Sequence, residues 1–250
     1  MAAAKSKTGK IGEMSLLSHL VELRTRILRV AIAVALMSAV GLVFAEQVLT
    51  AIVSPYGGYL QVLEPTESVS VWLRVGLTSG IALASPYILL QIIGFIVPGL
   101  KGTEKRTTFF VVPGALFLFV LGAAFAWFFM IPAAINFLAN FMPEIFRVEW
   151  SSRGYVPFVL SLTLWIGIAF EMPLVFMFLA WLGAVTPRTL IRGWRFAIVG
   201  IAIIAAAITP TVDPFNMLLV MAPLLCLYIF SIILTIFPYR ARKRRQAQAI

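Results

Sequence analysis

The sequence predicts an all-α integral membrane protein of six transmembrane helices with both termini on the cytoplasmic side. Three observations predict it. Hydrophobic residues fill 61% of the 250 positions and the mean hydropathy is +1.00, more apolar surface than one soluble core of this length can hide. The apolar residues gather into runs long enough to cross a hydrocarbon layer of about 30 Å as helices. The net charge of +10 comes from short basic clusters beside those runs, a distribution that reads as topology and not as a nucleic-acid-binding face.

The chain opens with a polar, basic stretch over 1–13, expected to be disordered. Residues 14–26 read as an amphipathic helix lying on the membrane, with Leu16, Leu20, Leu23 and Ile27 on one stripe and Ser18, Glu22, Arg26 and Arg29 on another. A first span follows near 27–47. Its basic flank and the ending Val43-Phe44-Ala45 also fit a signal peptide, but the further apolar runs favour a retained span. The connection from Glu46 to Ser70 carries Glu46, Glu64 and Glu67 and no base, whereas Lys5, Lys7, Lys10, Arg24, Arg26 and Arg29 precede the span. Basic loops stay on the cytoplasmic side, so the N-terminus is placed there.

Further spans are expected near 70–97, 107–132, 156–182, 194–209 and 214–237. Alternating across them puts 17 of the 20 Lys and Arg inside and two, Arg147 and Arg153, outside, with Arg74 just within a span. The fifth run decides the parity, because the basic clusters before Trp194 and after Tyr239 are both inside only if two spans separate them. That run is short. Phe196 to Ile208 measures about 20 Å as helix, so local thinning of the bilayer or a pair that does not fully span is expected. Pro223 permits a kink in the sixth span. Prolines and glycines punctuate the external connections, where short cap helices fit. The tail, 239–250, is basic and expected to be disordered.

The polar residues within this apolar chain need reasons. Glu22 sits at the cytoplasmic interface, either in a local i,i+4 pair with Arg26 or offered to a cationic ligand. Glu104, the only acid in Lys101-Gly102-Thr103-Glu104-Lys105-Arg106, either neutralises its neighbours or joins Glu22 in taking guanidinium groups. Glu171 lies well within the fourth span, where a carboxylate must face protein or water and a functional role is the default reading. Asp213, at the external turn before the last span, suits a helix N-cap.

His19 beside Glu22 makes no metal set, the single Cys226 makes no disulfide, and no nucleophile–base pair or phosphate loop is present, so no enzyme activity, metal or cofactor is expected. The tryptophans fall mostly near span ends, as interfacial anchors do. On physical grounds alone the rival reading is a proton- or cation-coupled secondary transporter of a small solute with Glu171 as its site. The repeats typical of that class are not found.

His19-Leu20-Val21-Glu22-Leu23-Arg24 resembles the His-Leu-x-Glu-Leu-Arg opening of TatC, the core subunit of the twin-arginine protein translocase. The likeness continues through Pro86-Tyr87-Ile88-Leu89-Leu90-Gln91, Phe95-Ile96-Val97-Pro98-Gly99-Leu100, Glu104-Lys105-Arg106, Phe170-Glu171-Met172-Pro173, and Thr209-Pro210 with Asp213. Each motif alone is weak; together, in this order over 14–238, they are specific. The resemblance implies a glove-like six-helix bundle in the bacterial cytoplasmic membrane whose cytoplasmic face binds the Arg-Arg signal peptides of folded precursor proteins. It implies Glu22 and Glu104 as the signal-binding acids, Arg24, Gln91 and Phe95 as their support, and Glu171 as a polar group in the concave membrane face. Thr209, Pro210 and Asp213 match the site for the single-span partners TatA and TatB, within a larger self-associated complex driven by the proton-motive force. Ile229, where the family often carries an acid, and Met217, where a polar residue is common, depart from the pattern.

Overall fold

A computed structural model of the chain describes residues 16–54, 58–96, 104–145, 149–209 and 213–248, with side chains described for all of these except 16–18, 96, 104–111 and 242–248. The protein is an all-helical, multi-pass membrane protein. Among the described residues, five helices are long and apolar enough to cross a membrane, and Trp194–Ile208 is a shorter apolar one.

Helix α1 runs from Leu16 to Val43 without interruption. No glycine or proline occurs before Gly41, so nothing breaks the i to i−4 ladder. The surface helix and first span expected from the sequence are therefore one rod, and part of the polar stripe, which a helix lying on a membrane would turn to water, is turned toward protein. Leu20 and Ile27 are 59% and 57% exposed, while Glu22 and Arg26 turn toward protein. In a bilayer the hydrocarbon takes the apolar face and the neighbouring helix takes the polar one.

After a turn at Phe44, α2 (Ala45–Val53) forms the first part of the connection to the next long helix. Helix α3 (Glu67–Ile96) then returns antiparallel along α1. Their close approach rests on small residues: at Gly41, Gly76 and Gly80 an added Cβ would collide with the opposite helix, in each case with its backbone.

Helix α4 (Glu104–Phe125) continues through a π turn, Ala126–Met130, into α5 (Ile131–Ala139). The turn widens where the Ile131 amide reaches back to the Ala126 carbonyl, one residue before Pro132, which has no amide to donate. The third apolar run thus reaches Ala139, beyond the limit near 132 expected from the sequence.

The fourth is two helices, α6 (Ser152–Phe170) and α7 (Met172–Leu182), joined at Glu171. Pro173 cannot donate into α6, so the chain breaks there and resumes. Tyr155, Val156, Val159, Leu162 and Ile166 of α6 are almost fully buried and form the centre of the main core. Helices α3 and α4 pack against this face.

Gly183 ends α7 in the left-handed region (φ 80°), with the Ala184 amide returning to the Leu179 carbonyl. A short α8 (Pro187–Arg192), capped by Thr186, leads to α9 (Trp194–Ile208). The 15 residues of α9 rise about 22 Å, short of the hydrocarbon thickness. Helix α10 (Pro214–Gln248) packs on α7 and α9 and contains both Pro223 and Pro238. It corrects the expectation of a disordered tail: the helix runs through to Gln248, and Ala, Arg, Lys and Gln, which fill 240–248, are all strong helix formers.

Candidate functional site

A polar cluster lies between α1 and the last turns of α3. Arg26 donates from Nε (3.1 Å) and Nη2 (2.7 Å) to the same oxygen of Glu22, Oε1. Its remaining reach goes across to α3: Nη2 to the Gly94 carbonyl at 2.9 Å and Nη1 to Gln91 Oε1 at 3.2 Å. The Arg26 and Glu22 side chains are only 14% and 18% exposed, a setting in which a charge needs a partner and its full set of hydrogen bonds. Position 94 accepts the guanidinium only because it is glycine, since a Cβ there would stand 2.5 Å from Arg26 Nη1.

Both readings of Glu22 thus meet in one geometry. The local pair with Arg26 is formed. Yet Oε2 of the same carboxylate is buried and has no hydrogen-bond partner among the described residues. Beside it, His19 stacks on Phe95 with ring centroids 4.3 Å apart and planes 17° from parallel. Of the supporting residues taken from the sequence, Gln91 and Phe95 are in this cluster. Arg24 is exposed and makes no hydrogen bond or ion pair among the described residues; Arg26, two positions further along the helix, stands in its place. The Glu104 residue opens α4, and its side chain lies outside the described ones.

Glu171, at the α6–α7 break, is 3% exposed. It accepts a hydrogen bond at 3.1 Å from the Ser85 hydroxyl of α3, and its carbonyl accepts from the amides of Leu174 and Val175 at the start of α7. The acid therefore faces protein at the one point where the fourth apolar run is not helical. Ser85, itself 5% exposed, carried no signal in the sequence, because its role depends on a residue 86 positions away.

At the other short turn, Thr209 is 7% exposed and its hydroxyl donates to the Ala205 carbonyl at 2.9 Å. Asp213 caps α10 as the sequence suggested: its carboxylate accepts from the Asn216 amide at 2.7 Å and from Asn216 Nδ2 at 2.9 Å. Pro210 lies outside the described residues.

A second polar site went unread in the sequence, where Glu67 served only as one acid in a base-free connection. It is 3% exposed. One oxygen accepts from Ser152 Oγ (2.6 Å) and the Arg153 amide (2.8 Å), the other from the amides of Leu63 (2.8 Å) and Glu64 (3.3 Å). It ties the connection between α2 and α3 to the N-terminus of α6, where an anion is favoured. Gln61 bridges to Ser151 alongside, Arg153 pairs with Glu64, and Tyr155 donates to the Ile52 carbonyl. Among the described residues, no group of three His, Cys, Asp or Glu is placed to hold a metal ion.

The chain matches the family described as Sec-independent protein translocase protein (TatC) over residues 18–223. It is 38% identical over 218 residues to the Sec-independent protein translocase protein TatC of Synechocystis sp., covering 86% of this chain and 85% of that one. It is 32% identical over 237 residues to the Bacillus subtilis protein TatCd, covering 95% and 98%. A crystal structure of a twin arginine translocase receptor, TatC, superposes with a TM-score of 0.77 at 36% identity, covering 88% of this chain and 99% of the other. With helices, motifs and sequence agreeing over most of its length, this chain belongs to the TatC family of Sec-independent protein translocase proteins.

Proposed function

We propose that this chain is the receptor subunit that binds the Arg-Arg signal peptides of folded precursor proteins at the cytoplasmic face of a bacterial inner membrane. The family is a translocase component and not an enzyme. The observation that carries the reading is the Glu22 carboxylate, which has one oxygen held by Arg26 and a second that is buried without a partner among the described residues. A guanidinium is the cation suited to it: planar, always charged and less hydrated than an ammonium. Glu104 supplies the second acid, from the start of α4. In this reading the chain crosses the membrane six times, with α9 and α10 as the last two spans and both termini inside.

TatA and TatB join at Thr209, Pro210 and Asp213, and Glu171 keeps a polar point open in the membrane interior while the proton-motive force drives export. The protein is tested by crosslinking a twin-arginine signal peptide to it in membranes, against the same peptide with Lys-Lys. Strong labelling of the first, its loss in Glu22→Ala with Glu104→Ala, and rescue of reporter export in cells depleted of the native subunit are expected. Equal labelling of the two peptides, or full labelling of the double variant, overturns the reading.

A further inference from the structure

Taking Glu22 as the acceptor of a signal arginine, we propose that Arg26 is a positioning residue that makes this site select arginine over lysine. Three acceptors converge at the α1–α3 contact: Glu22 Oε1, Gln91 Oε1 and the Gly94 carbonyl. Arg26 occupies all of them, at 2.7, 3.2 and 2.9 Å. What it leaves is the single acceptor Glu22 Oε2 in an electrically neutral pair, with the stacked His19 and Phe95 rings adjoining.

A site of that kind discriminates. An ammonium is drawn by net negative charge and must give up a tightly held hydration shell, and here Arg26 cancels the charge and repels a second cation. A guanidinium is less hydrated, needs only one N–H for Oε2, and gains from lying against aromatic faces. Without Arg26 the same place becomes an uncompensated carboxylate with two further oxygens, three acceptors for the three N–H groups of a lysine. Arg26 thus raises selectivity at the expense of raw attraction, as a repulsive element does in a specific interface.

Two substitutions perturb the arrangement independently. Arg26→Ala removes the guanidinium. Gly94→Ala leaves it in the chain but drives it from α3, since the new Cβ would stand 2.5 Å from Nη1 and 3.1 Å from Cζ and Nη2. The measurement is the dissociation constant of fluorescent Arg-Arg and Lys-Lys signal peptides for the full chain in lipid nanodiscs, with folding followed by circular dichroism. The wild-type protein is expected to favour Arg-Arg. In Arg26→Ala that preference is expected to fall about tenfold, largely through tighter Lys-Lys binding, and Gly94→Ala is expected to move it the same way. Arg26→Lys keeps the charge and is expected to retain most of the preference. A merely structural role would weaken both peptides together with their ratio unchanged; that result in whichever variants fold overturns the proposal. A wild-type protein that binds both peptides equally, or a Glu22→Ala variant that binds as well as wild type, would instead remove the receptor reading on which the proposal rests.

Discussion

Adding one methyl group at Gly41 tests how α1 is held against α3. A Cβ at this position would overlap the Gly76 carbonyl oxygen and stand 2.9 Å from the Gly80 amide nitrogen. Both obstacles are backbone, so no rotamer change relieves them, and the helices must part by about 1 Å to restore ordinary contact. Alanine is the better helix former by about 1 kcal/mol, which alone would raise stability. Overpacking against a rigid neighbour costs about 1–3 kcal/mol and more where backbone must move, so a net loss of about 2 kcal/mol is expected. For a chain of this size that corresponds to a fall of about 4–8 °C in Tm.

The same separation bears on the Glu22–Arg26 cluster. Gly41 and Arg26 are about 22 Å apart along α1; if α1 shifts as a rigid rod, the 2.9 Å bond from Arg26 to the Gly94 carbonyl lengthens, whereas if it tilts about that end the bond survives. Thermal unfolding in detergent measures the first effect and signal-peptide binding the second. Gly200 provides the control, since a Cβ there meets nothing within 4 Å and Gly200→Ala is expected to hold or gain stability. If Gly41→Ala and Gly200→Ala shift Tm alike, the close α1–α3 contact is not what holds the first helix.

Glu171→Gln keeps an oxygen to accept the Ser85 hydroxyl and is expected to export a reporter protein nearly as wild type, whereas Glu171→Leu leaves Ser85 unpaired and is expected to export poorly; normal export by the leucine variant refutes the role. Tyr228→Phe removes the 2.7 Å bond to the Leu190 carbonyl, which keeps the Gly193 amide as a second donor, so a loss of about 1 kcal/mol is expected, read as a lower Tm with signal-peptide binding unchanged. Glu67→Gln replaces a four-donor acceptor by a group that presents an N–H to some of the same donors. Hydrogen exchange at the amides of Leu63 and Arg153 is expected to quicken, and unaltered exchange there counts against the tie between the two external segments.

The sequence by itself determined that the chain is a helical membrane protein, because runs of apolar residues this long have no other solvent than hydrocarbon and no other backbone arrangement that satisfies its amides within one segment. It also determined the family, since weak motifs in a fixed order along one chain are jointly specific. The Asp213 cap and the Glu22–Arg26 pair were legible for the same reason, being contacts within one turn. Only the tertiary structure decided what lay between segments. Periodicity distinguishes the two faces of α1 but not what covers the polar one, so Glu22 and Arg26, read on a surface stripe, lie against α3. Gln91 and Gly94 reach Arg26 from 65 and 68 positions away, Ser85 reaches Glu171 from 86, and Ser152 reaches Glu67 from 85. No local pattern encodes such meetings: they depend on the register in which two helices pack, set for α1 and α3 at Gly41, Gly76 and Gly80 by side chains that are not there.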